Sequence, residues 1–112
     1  MLSRLASEFA AEIKGHDWSD AHIRTDRAGH NRGADPHSSD AGTPLTEEET
    51  NRVRVNVMWV TAQVLGHRDP NLDVVEFARA CGVDDLSPAT LRSGLRRKKG
   101  VYATPGTWNL GG

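Results

Sequence analysis

The chain has 112 residues, room for one modest domain but not for two full cores. Hydrophobic residues make up 37% and aromatics 5%, with 11 glycines and 5 prolines, so a small core should sit beside a sizeable irregular part. The net charge of −1 excludes polyanion binding by bulk charge, and the single Cys81 excludes an internal disulfide and suits a reducing, cytoplasmic setting.

Leu2, Leu5, Phe9 and Ile13 recur at three- and four-residue steps, with Ala6 and Ala10 alongside. This spacing predicts an amphipathic N-terminal helix over residues 1–15, ending near Gly15. Its apolar stripe must pack on the later domain or on a second copy, which makes a homodimer through this helix one expected partner. Acids interrupt the stretch Met1 to Lys14, which argues against a signal peptide, and no apolar run approaches the roughly 20 residues of a membrane span.

Residues 16–44 are polar, rich in His, Asp, Gly and Ser, and read as an extended loop with Trp18 and Ile23 as anchor points. So long a loop is unusual in a compact domain and implies either a function, such as ordering on a protein partner, or partial disorder. His16, His22, His30 and His37 lack the i, i+4 pairing or cysteine spacing of a zinc site, so no metal or other cofactor is expected. Asp17, Asp20, Asp26, Asp35 and Asp40 form no recognisable catalytic pair and read as solvated loop charges, so no catalytic residue is expected either.

Residues 45–112 form the expected domain. Thr46 and Glu49 make a capping box, and Val53, Val57, Val60 and Val64 follow as a helical stripe, widened by Met58, Thr61 and Leu65. Val53, Val55, Val57 and Trp59 also alternate as a strand would. The cap, and roughly seventeen residues without a breaker, decide for helix, with a turn from Gly66 to Pro70. Asn71 is the expected cap of a third helix that runs through Leu72 to Cys81 and stops at Gly82, with small Ala78 four residues earlier. Cys81 itself reads as a small buried hydrophobe. Ser87 and Pro88 open a fourth helix over 87–97, with Leu91 and Leu95 inward and Thr90, Arg92, Ser93, Arg96 and Arg97 outward. Tyr102, Trp108 and Leu110 supply strand-type side chains for a final hairpin turned by Pro105-Gly106, Tyr102 and Trp108 closing on the core. The terminal Gly111-Gly112 is a weak echo of modifier tails, which need a β-grasp fold that the helical signals oppose.

Charge is distributed unevenly. Arg92, Arg96, Arg97, Lys98 and Lys99 crowd into eight positions with no acid among them. Such a run is either a solvated helix C-terminus, where cations suit the macrodipole, or a phosphate-binding surface.

The string Val75-Glu76-Phe77-Ala78-Arg79-Ala80-Cys81-Gly82-Val83, followed by Ser87-Pro88-Ala89-Thr90-Leu91, resembles the helix-turn-helix of bacterial repressors, with a turn lengthened by Asp84-Asp85-Leu86. Pro105-Gly106-Thr107-Trp108-Asn109-Leu110 is similar to the wing of winged helix-turn-helix domains associated with restriction and chromatin proteins. The resemblance spans residues 45–110. It implies a mainly α fold: a small winged helix-turn-helix, three helices plus a C-terminal β-hairpin wing, preceded by the N-terminal helix and the polar loop. It also implies a non-enzymatic protein that binds double-stranded DNA, such as a transcriptional regulator or a phage or plasmid accessory factor. Helix 87–97 would lie in the major groove, with Thr90, Arg92 and Ser93 as the candidates for base edges and Ser87 among the DNA-binding residues. Arg96, Arg97, Lys98 and Lys99 would neutralise phosphates, and a wing tip around Thr104 would touch the backbone or minor groove. The alternative is a winged-helix adaptor, or a subunit of a larger assembly, that contacts protein rather than DNA.

Overall fold

Short polar side chains set where the helices begin. In a computed structural model, which describes residues 1–23 and 43–108, Ser3 caps the first of four described helices, α1 (Arg4–Gly15), its hydroxyl accepting the Ala6 N–H at 3.1 Å. α1 buries Ala6, Ala10 and Ile13. The expected stripe therefore splits: Leu2 is half-buried, whereas Leu5 and Phe9 remain 57% and 44% exposed. Two alanines on the inner face let the helix backbone approach its neighbours closely, and that approach rotates the larger side chains outward. Trp18 is an anchor as expected, half-buried against the core with its indole N–H donating to the Ile13 carbonyl at 2.9 Å. Asp20 is not a solvated charge but fully buried, because the turn from Trp18 to Ile23 folds back on the domain. Most of the 16–44 loop, with His30, His37, Asp26, Asp35 and Asp40, lies outside the described residues. Among those described, no group of three or more potential ligands could hold a metal ion.

Both halves of the capping box form at the start of α2 (Glu47–Arg68): Glu49 N–H donates to Thr46 Oγ1, and Thr46 N–H to Glu49 Oε1. The Thr46 backbone bond, helped by its side chain, holds the Glu49 carboxyl below its ordinary range, so this contribution is lost as pH falls through the lowered value. α2 does not stop at Gly66. A Cβ there would stand 2.4 Å from Tyr102 Cε1, so this glycine is a socket for an aromatic ring rather than a helix terminator. The helix instead ends at Asp69, just before Pro70. It presents three faces: Met58, Ala62 and Leu65 inward, Trp59, Gln63 and Gly66 toward Gly94, Arg96 and Tyr102 of the C-terminal part, and Val60 and Val64 to solvent. The valine stripe is thus only partly core: Met58, Ala62 and Leu65 carry the buried face, with Val57 packed against it.

Asp73, not Asn71, caps α3 (Val74–Ala80), its carboxylate accepting the Val75 and Glu76 N–H groups at 3.0 and 3.1 Å. Asn71 instead donates its N–H to Asp69 Oδ1 in the preceding turn, which delays the helix. Ala78 is fully buried, and Gly82, just past the helix end, takes φ +86°. The lengthened turn is held by Arg79, which donates to the Val83 carbonyl at 3.0 Å and the Leu86 carbonyl at 2.8 Å.

Cys81 is fully buried beside Phe77, Met58, Leu91 and Val83, and burial pushes its thiol up to about 12. An unfolded thiol ionises near 9, so the unfolded chain binds fewer protons between these values and stability falls as pH rises above about 9. A thiol reagent at pH 8 is therefore expected to label Cys81 only after denaturant is added. Rapid labelling of the native protein would contradict this burial.

Ser87 caps α4 (Pro88–Ser93), accepting the Thr90 N–H at 3.1 Å. This helix ends at Gly94, not at residue 97, because Gly94 lies against Trp59: a Cβ there would stand 2.3 Å from Cη2. The chain then enters a two-stranded antiparallel hairpin, β1 (Arg97–Lys98) and β2 (Val101–Tyr102), pairing Arg97 with Tyr102 and Lys98 with Val101. Its turn is Lys99-Gly100, with φ +52° and +79°, the signs of a type I′ turn. The hairpin thus stands earlier than its expected place. Pro105-Gly106 forms a separate turn, closed by Thr107 N–H to the Thr104 carbonyl at 3.0 Å, with Gly106 at φ +86°. Residues 109–112, including Leu110 and the terminal glycines, lie outside the described residues.

Candidate nucleic-acid interface

The singled-out residues Ser87 to Thr104 fall on α4, on the hairpin and on the turn beyond it. On α4 only Leu91 is buried, and Ser87, Thr90, Arg92 and Ser93 are each exposed. Their hydroxyls are locally engaged: Ser87 Oγ donates to Thr90 Oγ1 at 3.0 Å and Ser93 Oγ to the Thr90 carbonyl at 3.2 Å.

The cations do not extend α4, as the expected helix 87–97 requires; they continue into the hairpin. Arg96 is pinned on both sides of its backbone by Gln63 of α2, which accepts the Arg96 N–H at 2.7 Å and donates Nε2 to its carbonyl at 3.0 Å. Its guanidinium donates to the Thr107 carbonyl at 3.0 Å and lies 4.0 Å over the Trp108 ring. Arg97 donates to the Arg92 carbonyl at 2.7 Å and to the Tyr102 hydroxyl at 3.2 Å, which ties β1 to the end of α4. Lys98 and Lys99 stand exposed at the hairpin end. So the two arginines brace the surface, whereas Arg92, Lys98 and Lys99 are exposed and make no side-chain hydrogen bond or ion pair among the described interactions.

No carboxylate neutralises this group among the described residues. The described ion pairs, Met1–Glu76, Arg4–Glu8 and Arg52–Glu48, lie elsewhere. Asp73 shares a depression of about 230 Å³ with Arg92 and Arg97, but its carboxylate is turned to the α3 backbone as a cap. The five basic residues in eight positions therefore form a local positive surface on a chain of net charge −1.

Two placements differ from expectation. Thr104 is exposed in the turn beyond β2, not at the hairpin tip, because Lys99-Gly100 makes that tip. Trp108 does not close onto the core: it is 77% exposed, its face taken by Arg96. Tyr102 is buried as expected, its ring against Gly66. Sequence reasoning missed Gln63, whose signal is a polar side chain on an inward-facing turn of α2, and Trp59, whose seat at Gly94 ends α4.

No described helix is long and apolar enough to cross a membrane. Set against protein-family models, curated proteins and solved structures, the chain matches none of them.

Proposed function

We propose that this protein is a non-enzymatic binder of double-stranded DNA, built as a winged helix-turn-helix with α2, α3 and α4 as its helices and the β1–β2 hairpin as its wing. One observation carries the reading: five cations gathered on α4 and the hairpin, none paired with a carboxylate among the described residues. Clustered unneutralised charge displaces counterions from duplex DNA and makes affinity salt-dependent. The exposed α4 positions Thr90, Arg92 and Ser93 are the candidates for base edges, with Ser87 beside them. Lys98 and Lys99 face phosphates, and Arg96 and Arg97 hold the hairpin against α4 and the following turn, adding charge as they do so. Thr104, away from the tip, contributes at most a backbone contact. A small transcriptional regulator or a phage or plasmid accessory factor would use such a surface.

Fluorescence anisotropy with random duplex DNA at about 50 and about 200 mM salt tests the reading. Affinity is expected to fall steeply between the two, by more than about tenfold for three phosphate contacts. Absence of binding at the lower salt would overturn it and favour the adaptor, whose partner contact would run through residues 16–44.

A further inference from the structure

Most large apolar side chains left exposed by the described residues gather in one place. Leu5 and Phe9 of α1 and Val60 and Val64 of α2 are 57%, 44%, 68% and 42% exposed, and together they line a groove of about 430 Å³. This arrangement is the reverse of what a lone helix favours, because α1 turns Ala6 and Ala10 inward, each 1% exposed, and its leucine and phenylalanine outward.

Residues 24–42 contain no Leu, Ile, Val, Met, Phe, Tyr or Trp, and residues 109–112 contain only Leu110. Arg68 is the charged residue that lines the groove. Lys14 and Arg54 converge on Gly82 while Leu5 and Phe9 share the groove with Val60 to Arg68, so α1 and α2 run antiparallel. Arg68 therefore stands at the Leu5 end, and Glu12, one turn past Phe9, at the other. Glu12 is exposed and Arg68 lines the groove, and neither belongs to a described ion pair. A two-fold rotation across the length of such an apolar face would set Arg68 of one copy opposite Glu12 of the other.

We propose that the α1–α2 groove is the interface of a symmetric homodimer, two copies packing their α1–α2 faces antiparallel so that Arg68 of each meets Glu12 of the other. The two helix pairs make a four-helix layer closed by Phe9, Leu5, Val60 and Val64. The basic residues of α4 and the hairpin lie outside this interface, so the proposal stands independently of DNA binding.

Sedimentation equilibrium of the full chain at concentrations well above micromolar is expected to give the mass of two chains. Val60→Glu, at the most exposed of the four positions, is expected to halve that mass with the circular dichroism unchanged. Arg68→Glu and Glu12→Arg should each weaken association, and the double variant should restore it. A wild type that stays monomeric throughout overturns the proposal and leaves the groove to a different protein. A dimer that survives Val60→Glu, or a charge swap that fails to restore association, overturns this interface in particular.

Discussion

Reversing Arg92 and Lys98 together to glutamate is expected to cost about a hundredfold or more in duplex affinity while leaving the fold intact. Both residues are exposed, and no described hydrogen bond or ion pair uses either side chain. A charge-assisted contact contributes about 1.5–3 kcal/mol, so losing two corresponds to about 3–6 kcal/mol. The salt dependence should flatten as well, by about 0.9 logarithmic units per lost phosphate contact. Arg96 makes a poorer probe: reversing it would also break the contacts with Thr107 and Trp108, so any loss of binding would mix charge with structure. Anisotropy titrations alongside circular dichroism check the result. Unchanged affinity and salt slope in a folded double variant would place the interface elsewhere.

Phe77→Ala is expected to lower unfolding free energy by about 3–5 kcal/mol, the usual cost of emptying an aromatic site in a packed core. Phe77 is fully buried, the largest of the fully buried side chains, and belongs to the cluster with Met58, Val83, Cys81 and Leu91. Small domains have about 5–15 kcal/mol of stability in all, and the melting temperature should therefore fall by at least about 12 °C. Urea unfolding read by tryptophan fluorescence measures the difference. A loss below about 1 kcal/mol would mean that the core closes over the site and that Phe77 is not its centre.

Features that depend on near neighbours along the chain are legible in the amino-acid sequence. Thr46 with Glu49, Ser87 with Pro88, and Ala78 with Gly82 act within one or two helical turns, and each stands where its spacing predicts. Elements decided by distant partners are not legible in this way. Gly66 reads as a stop, but Tyr102 needs the empty space at its Cα; Gly94 ends α4 because Trp59 fills the adjoining volume. The hairpin departs from its expected place for a similar reason. Pro105-Gly106 is the stronger turn signal, yet Gln63 grips Arg96 from α2 and starts the strand early, so Lys99-Gly100 has to turn it. Of the candidate site, the clustering of cations can be read directly, whereas the division between bracing arginines and exposed lysines depends on the fold.

Lys99 is the described residue other than glycine that takes a positive φ, a backbone state that costs an L-residue about 1–2 kcal/mol. Asparagine or glycine would occupy it with less strain and give a firmer turn. At this position local stability and positive charge compete, and the chain carries the charge. Stability-guided redesign of the hairpin would therefore remove a cation from its tip first.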